Sequence, residues 1–215
     1  MKNPAITLLF VAGMFQAALA QTSKGDVLLG STVALGGGLN ALIINPSNSG
    51  GLNYSTLKTK SDNPNADEQK ETGVTISLSP SFGRFLADGL VGGVGLNLLY
   101  QSIKPDGSSQ NVTQTILLAG PFIRYYLPLA KVKPFFEVNP AFGTSRAKFG
   151  SFDNKTSLVK LGGGAGVAIF LGENVSFDAL LHYERFTSKD KDNNPNNERQ
   201  IIGTFGVNVG FTFFL

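Results

Sequence analysis

The chain has 215 residues and a mass of 22.8 kDa; 42% of the residues are hydrophobic and 15% charged, with 26 Gly, 17 Phe, no Cys and no Trp. Lys+Arg 18 against Asp+Glu 15 gives a net charge of +3 scattered over mixed segments, which speaks against a nucleic-acid partner. Without cysteine there is no disulfide framework, thiolate nucleophile or Cys-based metal site, and the length suits one domain.

Residues 1–20 read as a secretory signal peptide. Lys2 supplies a positive start, Ile6 to Leu19 is apolar apart from a few residues, and Ala18-Leu19-Ala20 offers a small-x-small cleavage pattern. Gln21 at the expected new terminus rules out a lipid-anchored start, leaving 21–215 as the mature domain.

From there the chain alternates with period two, which separates faces on a strand and would mix them around a helix. Strands are expected at Val27 to Leu42, Thr72 to Leu86, Leu90 to Ile103, Thr113 to Tyr126, Val132 to Arg146, Ser157 to Phe170, Val175 to Phe186 and Gln200 to Leu215. One face of each is apolar, as in Ile201, Phe205, Val207, Val209, Phe211 and Phe213; the other carries Gly, Ser, Thr, Asn and charges, with Ile202 and Phe214 as exceptions. The connections alternate too. Ala87 to Gly89, Pro128 to Lys131 and Leu171 to Asn174 are tight, whereas Asn45 to Glu71, Lys104 to Val112, Ala147 to Thr156 and Thr187 to Glu198 are longer and polar. An even number of strands with short turns at one end and long loops at the other predicts an all-β, eight-stranded antiparallel up-and-down transmembrane barrel.

The cost of facing lipid sets the expected orientation. A Lys or Arg exposed to lipid near the midplane costs about 2–4 kcal/mol, so the ionisable residues belong on the lumen side or at the rims. Arg124, Lys133, Glu137, Lys160, Asp178, His182 and Glu184 share the polar face, and are expected to form a lumen network that is structural. Lys160 is placed directly across from Glu184, and Arg124 diagonally from Glu137. Arg84, Arg146 and Arg185 fall on the apolar face, each at an expected strand end where it can snorkel. Tyr100, Phe142 and Tyr183 suit an outer aromatic girdle, and Phe82, Tyr125, Phe177, Phe211 and Phe213 an inner one.

From Val27 to Leu215 the chain resembles the small outer-membrane β-barrel proteins of Gram-negative bacteria, in the broad OmpX-type and PorT-like group. The ending Asn208-Val-Gly210-Phe-Thr-Phe213-Phe-Leu215 is similar to that group's C-terminal assembly signal, with Leu where Phe is usual. The resemblance implies that Asn208, Gly210, Phe213 and Leu215 address the chain to the barrel-assembly machinery. It also implies a cell outer membrane location, with membrane lipid and lipopolysaccharide as surroundings.

Chemistry is sparser. Lone His182 shares a face with Asp178 and Glu184, but a single His without Cys makes a poor metal site, so no cofactor and no catalytic residue is expected. His182-Tyr183-Glu184 also lacks the hydroxyl nucleophile of lipid A deacylases, since Ser176 lies too far along the strand. Asp190, Asp192 and Asn194 open like a calcium loop, yet Pro195 and Ile201 stand where Gly and Glu are needed. Gly162 to Gly166 and Gly36 to Gly38 are not phosphate cradles and suggest room for lumen side chains or strand bends. The segment Asn45 to Glu71 is long for a structureless connection, and reads first as a solvated loop, with a surface contact for a partner or lipopolysaccharide as the functional alternative. The expectation is a non-enzymatic outer-membrane barrel whose loops serve interaction or envelope integrity. A lipid A-modifying enzyme and a narrow solute channel are the alternatives.

Overall fold

A computed structural model describes residues 22–36, 52–59, 69–105, 110–129, 131–190 and 200–215. The chain forms β1 (Val27–Gly36), β2 (Leu52–Thr59), β3 (Gln69–Ala87), β4 (Leu90–Pro105) and β5 (Val112–Tyr126). It continues with β6 (Val132–Val138), β7 (Ala141–Phe149), β8 (Phe152–Phe170), β9 (Val175–Asp190) and β10 (Gln200–Phe214). All recorded pairings are antiparallel, and from β3 to β10 consecutive strands neighbour one another except β6 and β7, each of which lies between β5 and β8. The ring closes because β1 pairs β10 on one edge and β3 on the other.

These ten segments fill eight positions in the ring. β6 and β7 each pair β5 on one side and β8 on the other, so they are two halves of one position. The expected single strand Val132 to Arg146 is interrupted at Asn139-Pro140, where Pro140 has no N–H to give a ladder. Likewise β1 and β2 run in the same direction along β3, β1 against Ser79 to Arg84 and β2 against Gln69 to Ile76. The first expected strand therefore stops at Gly36 after a bulge at Ala34/Gly36, and its remainder, 37–42, lies outside the described residues.

Two expected loops are partly strand. Within Asn45 to Glu71, β2 pairs the start of β3, using the β-favouring Tyr54 and Thr56. Ala147 to Thr156 is a hairpin with a two-residue turn, Gly150-Ser151, below which Phe149 pairs Phe152. Gly150 has φ 59°, a conformation a side chain disfavours. The short turns fall where expected, and both described termini lie at that end: Val27 and Leu215 exchange backbone hydrogen bonds at 2.7 and 2.9 Å.

The barrel is apolar outside. Phe142, Leu161 and Phe205 are 67%, 59% and 74% exposed, within a belt of outward Leu, Val, Ile, Phe and Tyr that follows the period-two face read from the sequence. Phe82, Tyr125, Phe211 and Phe213 are exposed near the short-turn end and Tyr100, Phe142 and Tyr183 nearer the loop end, as expected of two girdles; Phe177 is half-buried against Phe211. Arg84 and Arg146 point outward near strand ends, but β9 continues past Arg185 to Asp190, so Arg185 stands mid-strand, one outward step beyond Tyr183.

The lumen is not uniformly polar. At the short-turn end Leu28, Phe85, Tyr126, Phe135, Phe170 and Phe214 pack into an apolar layer, with Phe170 and Phe214 rings stacked at 5.0 Å. Towards the loop end Leu99, Ile116, Leu118, Leu158 and Phe186 form a second. The charged residues lie between and beside these layers, so the sequence-based picture of a wholly polar inner face is corrected: an eight-stranded ring is narrow enough for large side chains to meet across it.

Candidate functional site

The seven ionisable residues expected inside are all there, each between 1% and 8% exposed. Their alternation on β5, β6, β8 and β9 is what turns them inward. Burying a charge is costly unless it is paired and hydrogen-bonded, and the lumen meets that demand in two groups.

The first group centres on Arg124. Its guanidinium bonds Glu137 at 2.6 Å and Asp178 at 2.8 Å, donates to Tyr126 Oη at 2.9 Å, and lies 4.3 Å from the Phe135 ring centroid. Arg124 stands directly opposite Glu137 across the β5–β6 ladder and not diagonally as the sequence suggested, because the connection Leu127 to Lys131 sets a different register. Asp178 accepts in addition from Ser176 Oγ at 2.6 Å and Thr212 Oγ1 at 2.8 Å, and Glu137 from Asn139 Nδ2 at 2.7 Å. Each carboxylate thus has hydroxyl or amide donors besides its cation.

The second group joins Lys160 to Glu184 at 3.1 Å, with Lys160 Nζ also 3.2 Å from Asn97 Oδ1. The two are not directly opposite. Lys160 faces Phe186 and Glu184 faces Gly162, a two-residue offset from the expected register, because five residues, Leu171 to Val175, separate the last ladder pair, Phe170 and Ser176. Gly162 has no side chain, and a Cβ there would meet Asn139 Oδ1 and Glu184 Cγ; room for lumen side chains is what this glycine supplies. His182 Nδ1 lies 3.5 Å from Glu184 Oε1, and neither ring nitrogen has a hydrogen-bond partner among the described residues.

Lys133 stands apart near the short-turn end, donating to Thr22 Oγ1 at 3.0 Å and lying 5.1 Å from the Phe170 ring centroid. The segment entering β1 thereby closes the floor: Gly89 N donates to Thr22 O, and Lys24 N to Asp88 Oδ1. A cavity of about 60 Å³ remains mid-barrel between the two charged groups, lined in part by Asn97, Arg124, Glu137, Asn139, Lys160 and Asn208. It has space for a few water molecules, and Asn139 Oδ1 and Asn208 Oδ1 are buried acceptors without a protein donor.

Sequence reasoning missed Tyr126, Asn97, Asn139, Ser176, Thr212 and Thr22 as members of the network. Parity would have found several: Tyr126 and Ser176 each lie two residues from a lumen charge on the same strand, and Asn139 lies two residues past Glu137, just beyond the end of β6. Ser176 is occupied with Asp178, and among the described residues no three metal-ligating side chains converge. Of the segment whose Asp190, Asp192 and Asn194 open like a calcium loop, 191–199 lies outside the described residues. Of the proposed assembly signal, Phe213 and Leu215 point outward, whereas Gly210 faces inward beneath β1.

A closed antiparallel ring with an apolar exterior and a charged, packed interior is inverted relative to a soluble barrel, and this arrangement defines an outer-membrane-type β-barrel. No protein-family model and no curated protein matches the chain. Solved structures do resemble it. OprG from Pseudomonas aeruginosa is similar at 13% identity and TM-score 0.48, covering 92% of this chain and 99% of its own. Neisserial surface protein A is similar at 14% identity and TM-score 0.45, covering 88% and 97%. The N-terminal barrel domain of Pseudomonas aeruginosa OprF is similar at 12% identity and TM-score 0.38, covering 89% and 98%. The assignment to this class rests on the chain's own strand pairing and surface.

Proposed function

We propose that this protein is a non-enzymatic, non-conducting barrel of the bacterial outer membrane, anchoring surface loops for interaction or envelope integrity. The observation that carries the reading is the packed lumen: among the described residues, two apolar layers and two ion-pair groups fill it around a small central cavity. A narrow solute channel is disfavoured by the same packing. A lipid A-modifying enzyme is disfavoured because Asp178, Glu137 and Glu184 are engaged by Arg124 or Lys160, and Ser176 donates to Asp178, a carboxylate already paired with a cation.

Residues 1–20 belong to this proposal as a cleaved leader. Kinship with the OmpX-type or PorT-like group does too, supported by the outward Phe213 and Leu215 at the chain's end, where the assembly machinery would read them. The partner-contact role inferred for 45–71 narrows to the loop end as a whole, since part of that segment is barrel wall. The test combines planar-bilayer recordings of the refolded barrel with lipid A mass spectra from a deletion strain. Absence of discrete conductance and unchanged lipid A are expected; stepwise opening or a mass shift in lipid A would replace this reading with one of its rivals.

A further inference from the structure

The outer wall carries charge unequally. Towards the loop end the described outward side chains include Lys104, Arg146, Lys148, Lys155, Arg185 and Lys189, with Asp153 as the one carboxylate among them. At the other end Arg84, Lys24 and Lys131 are set among Asp88 and Glu173. Asp153 is already shared: Arg146 binds it through Nε and Nη2 on one guanidinium edge, with Nε 2.7 Å from Oδ1, and Lys148 Nζ is 4.0 Å away. Lys155 stands directly across from Arg146. Among the described residues, one carboxylate therefore serves three neighbouring cations, an excess of positive charge on this part of the wall.

Two of these cations, Arg146 and Lys148, border a groove of about 440 Å³ on the outward face of β4, β5 and β7. The ladder arranges its residues in three rungs. Leu98, Leu117 and Thr144 form the rung nearest the apolar belt; Tyr100, Thr115 and Arg146 the next; Ser102, Thr113 and Lys148 the one nearest the loops. Side chains thus pass from hydrocarbon through a phenol and hydroxyls to two cations within the height of a few residues. No neutral or fully apolar occupant uses that gradient, and a free anion would use only its top.

We propose that this groove seats a phosphate-bearing lipid of the outer leaflet, with the phosphate on Lys148 and Arg146, the threonine hydroxyls beside it, and acyl chains laid along Leu117 and Leu98. With Nε and Nη2 of Arg146 on Asp153, Nη1 of Arg146 and the Lys148 ammonium supply the charge for the phosphate oxygens, and hydroxyls donate to the remaining ones. The inference rests on the membrane reading, since it needs the loop end to lie at the outer-leaflet surface.

The test is native mass spectrometry of the refolded barrel in detergent, with bisphosphorylated lipid A, the same lipid stripped of phosphate, and inorganic phosphate as probes. Retention of the bisphosphorylated lipid is expected, and the Arg146→Ala/Lys148→Ala double variant should bind it roughly tenfold more weakly, the scale of two exposed charge contacts. The control variant Arg185→Ala/Lys189→Ala removes the same charge from another part of the wall and should change binding less than twofold, a difference small beside two lost charge contacts. An equal loss in both variants would reduce the seat to general attraction by the rim and overturn it, as would equal retention of the stripped lipid. Full competition by inorganic phosphate would make it a site for a free anion. Lys148→Ala alone, on a half-exposed side chain, serves if the double variant misfolds. Heat-dependent gel migration of the wild-type protein separates the two failures: loss of that behaviour defeats the membrane reading, whereas an intact barrel that ignores lipid phosphate defeats only the seat.

Discussion

Lys160 Nζ lies 3.1 Å from Glu184 Oε1, although the residue directly across the ladder from Lys160 is Phe186. The ion pair is diagonal, made possible by the long reach of both side chains and by Gly162 leaving the space opposite Glu184 empty. Removing one partner of a buried pair strands a charge, at a cost of about 3–5 kcal/mol when the site is well shielded. Lys160→Met and Glu184→Gln should each lower unfolding stability in lipid or detergent, and the double variant should lose less than their sum. Strict additivity in urea titrations would remove the contact as a source of stability.

Arg124 is the more consequential cation, because two carboxylates depend on it. Arg124→Met leaves both Glu137 and Asp178 without a counter-charge, while Glu137→Gln leaves Arg124 still bound to Asp178. The Arg124 variant is therefore expected to be the less stable by about 1–3 kcal/mol, the scale of a lost charged hydrogen bond. Comparison of their urea midpoints checks the order, and equal midpoints would mean that Asp178 is held well enough by Ser176 and Thr212 alone.

Assembly should be sensitive at the terminal strand for two separable reasons. Phe213→Asp places a charge on the outward face and alters the aromatic position of the proposed signal, whereas Gly210→Val acts from within the wall. A Cβ at Gly210 would sit inside contact distance of the Ser31 carbonyl oxygen and the Thr32 Cα on β1. Both variants should lower folded-barrel yield in cells; in refolding from urea without the assembly machinery, Gly210→Val should remain the more impaired. Normal yield of Phe213→Asp in cells would remove the signal reading.

The mature chain is expected to begin at Gln21, fractionate with outer membranes, and migrate faster on gels before boiling than after. Edman or mass-spectrometric sequencing of the purified protein checks the terminus. Recovery in the soluble periplasmic fraction would contradict the membrane location.

At the tip of the β7–β8 hairpin, beyond the apolar belt, the hydrogen bonds from Arg146 hold the Asp153 carboxyl below the ordinary carboxylate range, aided by the charges of Arg146, Lys148 and Lys155. A carboxyl depressed on folding stabilises above its unfolded pKa, and that contribution is lost as pH falls through the folded value. The hairpin tip should accordingly keep its amide protection through neutral and mildly acidic pH and loosen only below the usual carboxylate range. Hydrogen exchange of Phe149 to Phe152 against pH reads this, with Asp153→Asn expected to abolish the dependence.

The barrel was legible in the sequence because its two demands, lipid outside and paired charge inside, impose opposite chemistries on alternate residues. That is why Arg124, Asp178 and Glu184 could be placed inside before any coordinates. Register was less legible. It depends on how many residues each turn consumes, and Leu171 to Asn174 used one arrangement where symmetry about Gly172 suggested another. The inward Phe85, Phe170 and Phe214 were not legible as a floor because they sit at strand ends, where an apolar residue on the polar face, such as Phe214, looks like an exception. The β6/β7 break was written in Asn139-Pro140, but proline reads as an interruption only when its neighbours on both sides are known to share a ladder.

The pairing of β1 with β10 joins the first described strand to the last, and Val27 to Leu215. Every other adjoining pair can zip locally as the chain emerges, but this one must wait until both extremities are present, so closure is the step of greatest loop entropy and the slowest to form. Until then β1 and β10 each present an unpaired edge, and the unclosed sheet is exposed to pairing with other chains. Gly210 sits at that junction, so its missing side chain governs how long the nascent wall stays open.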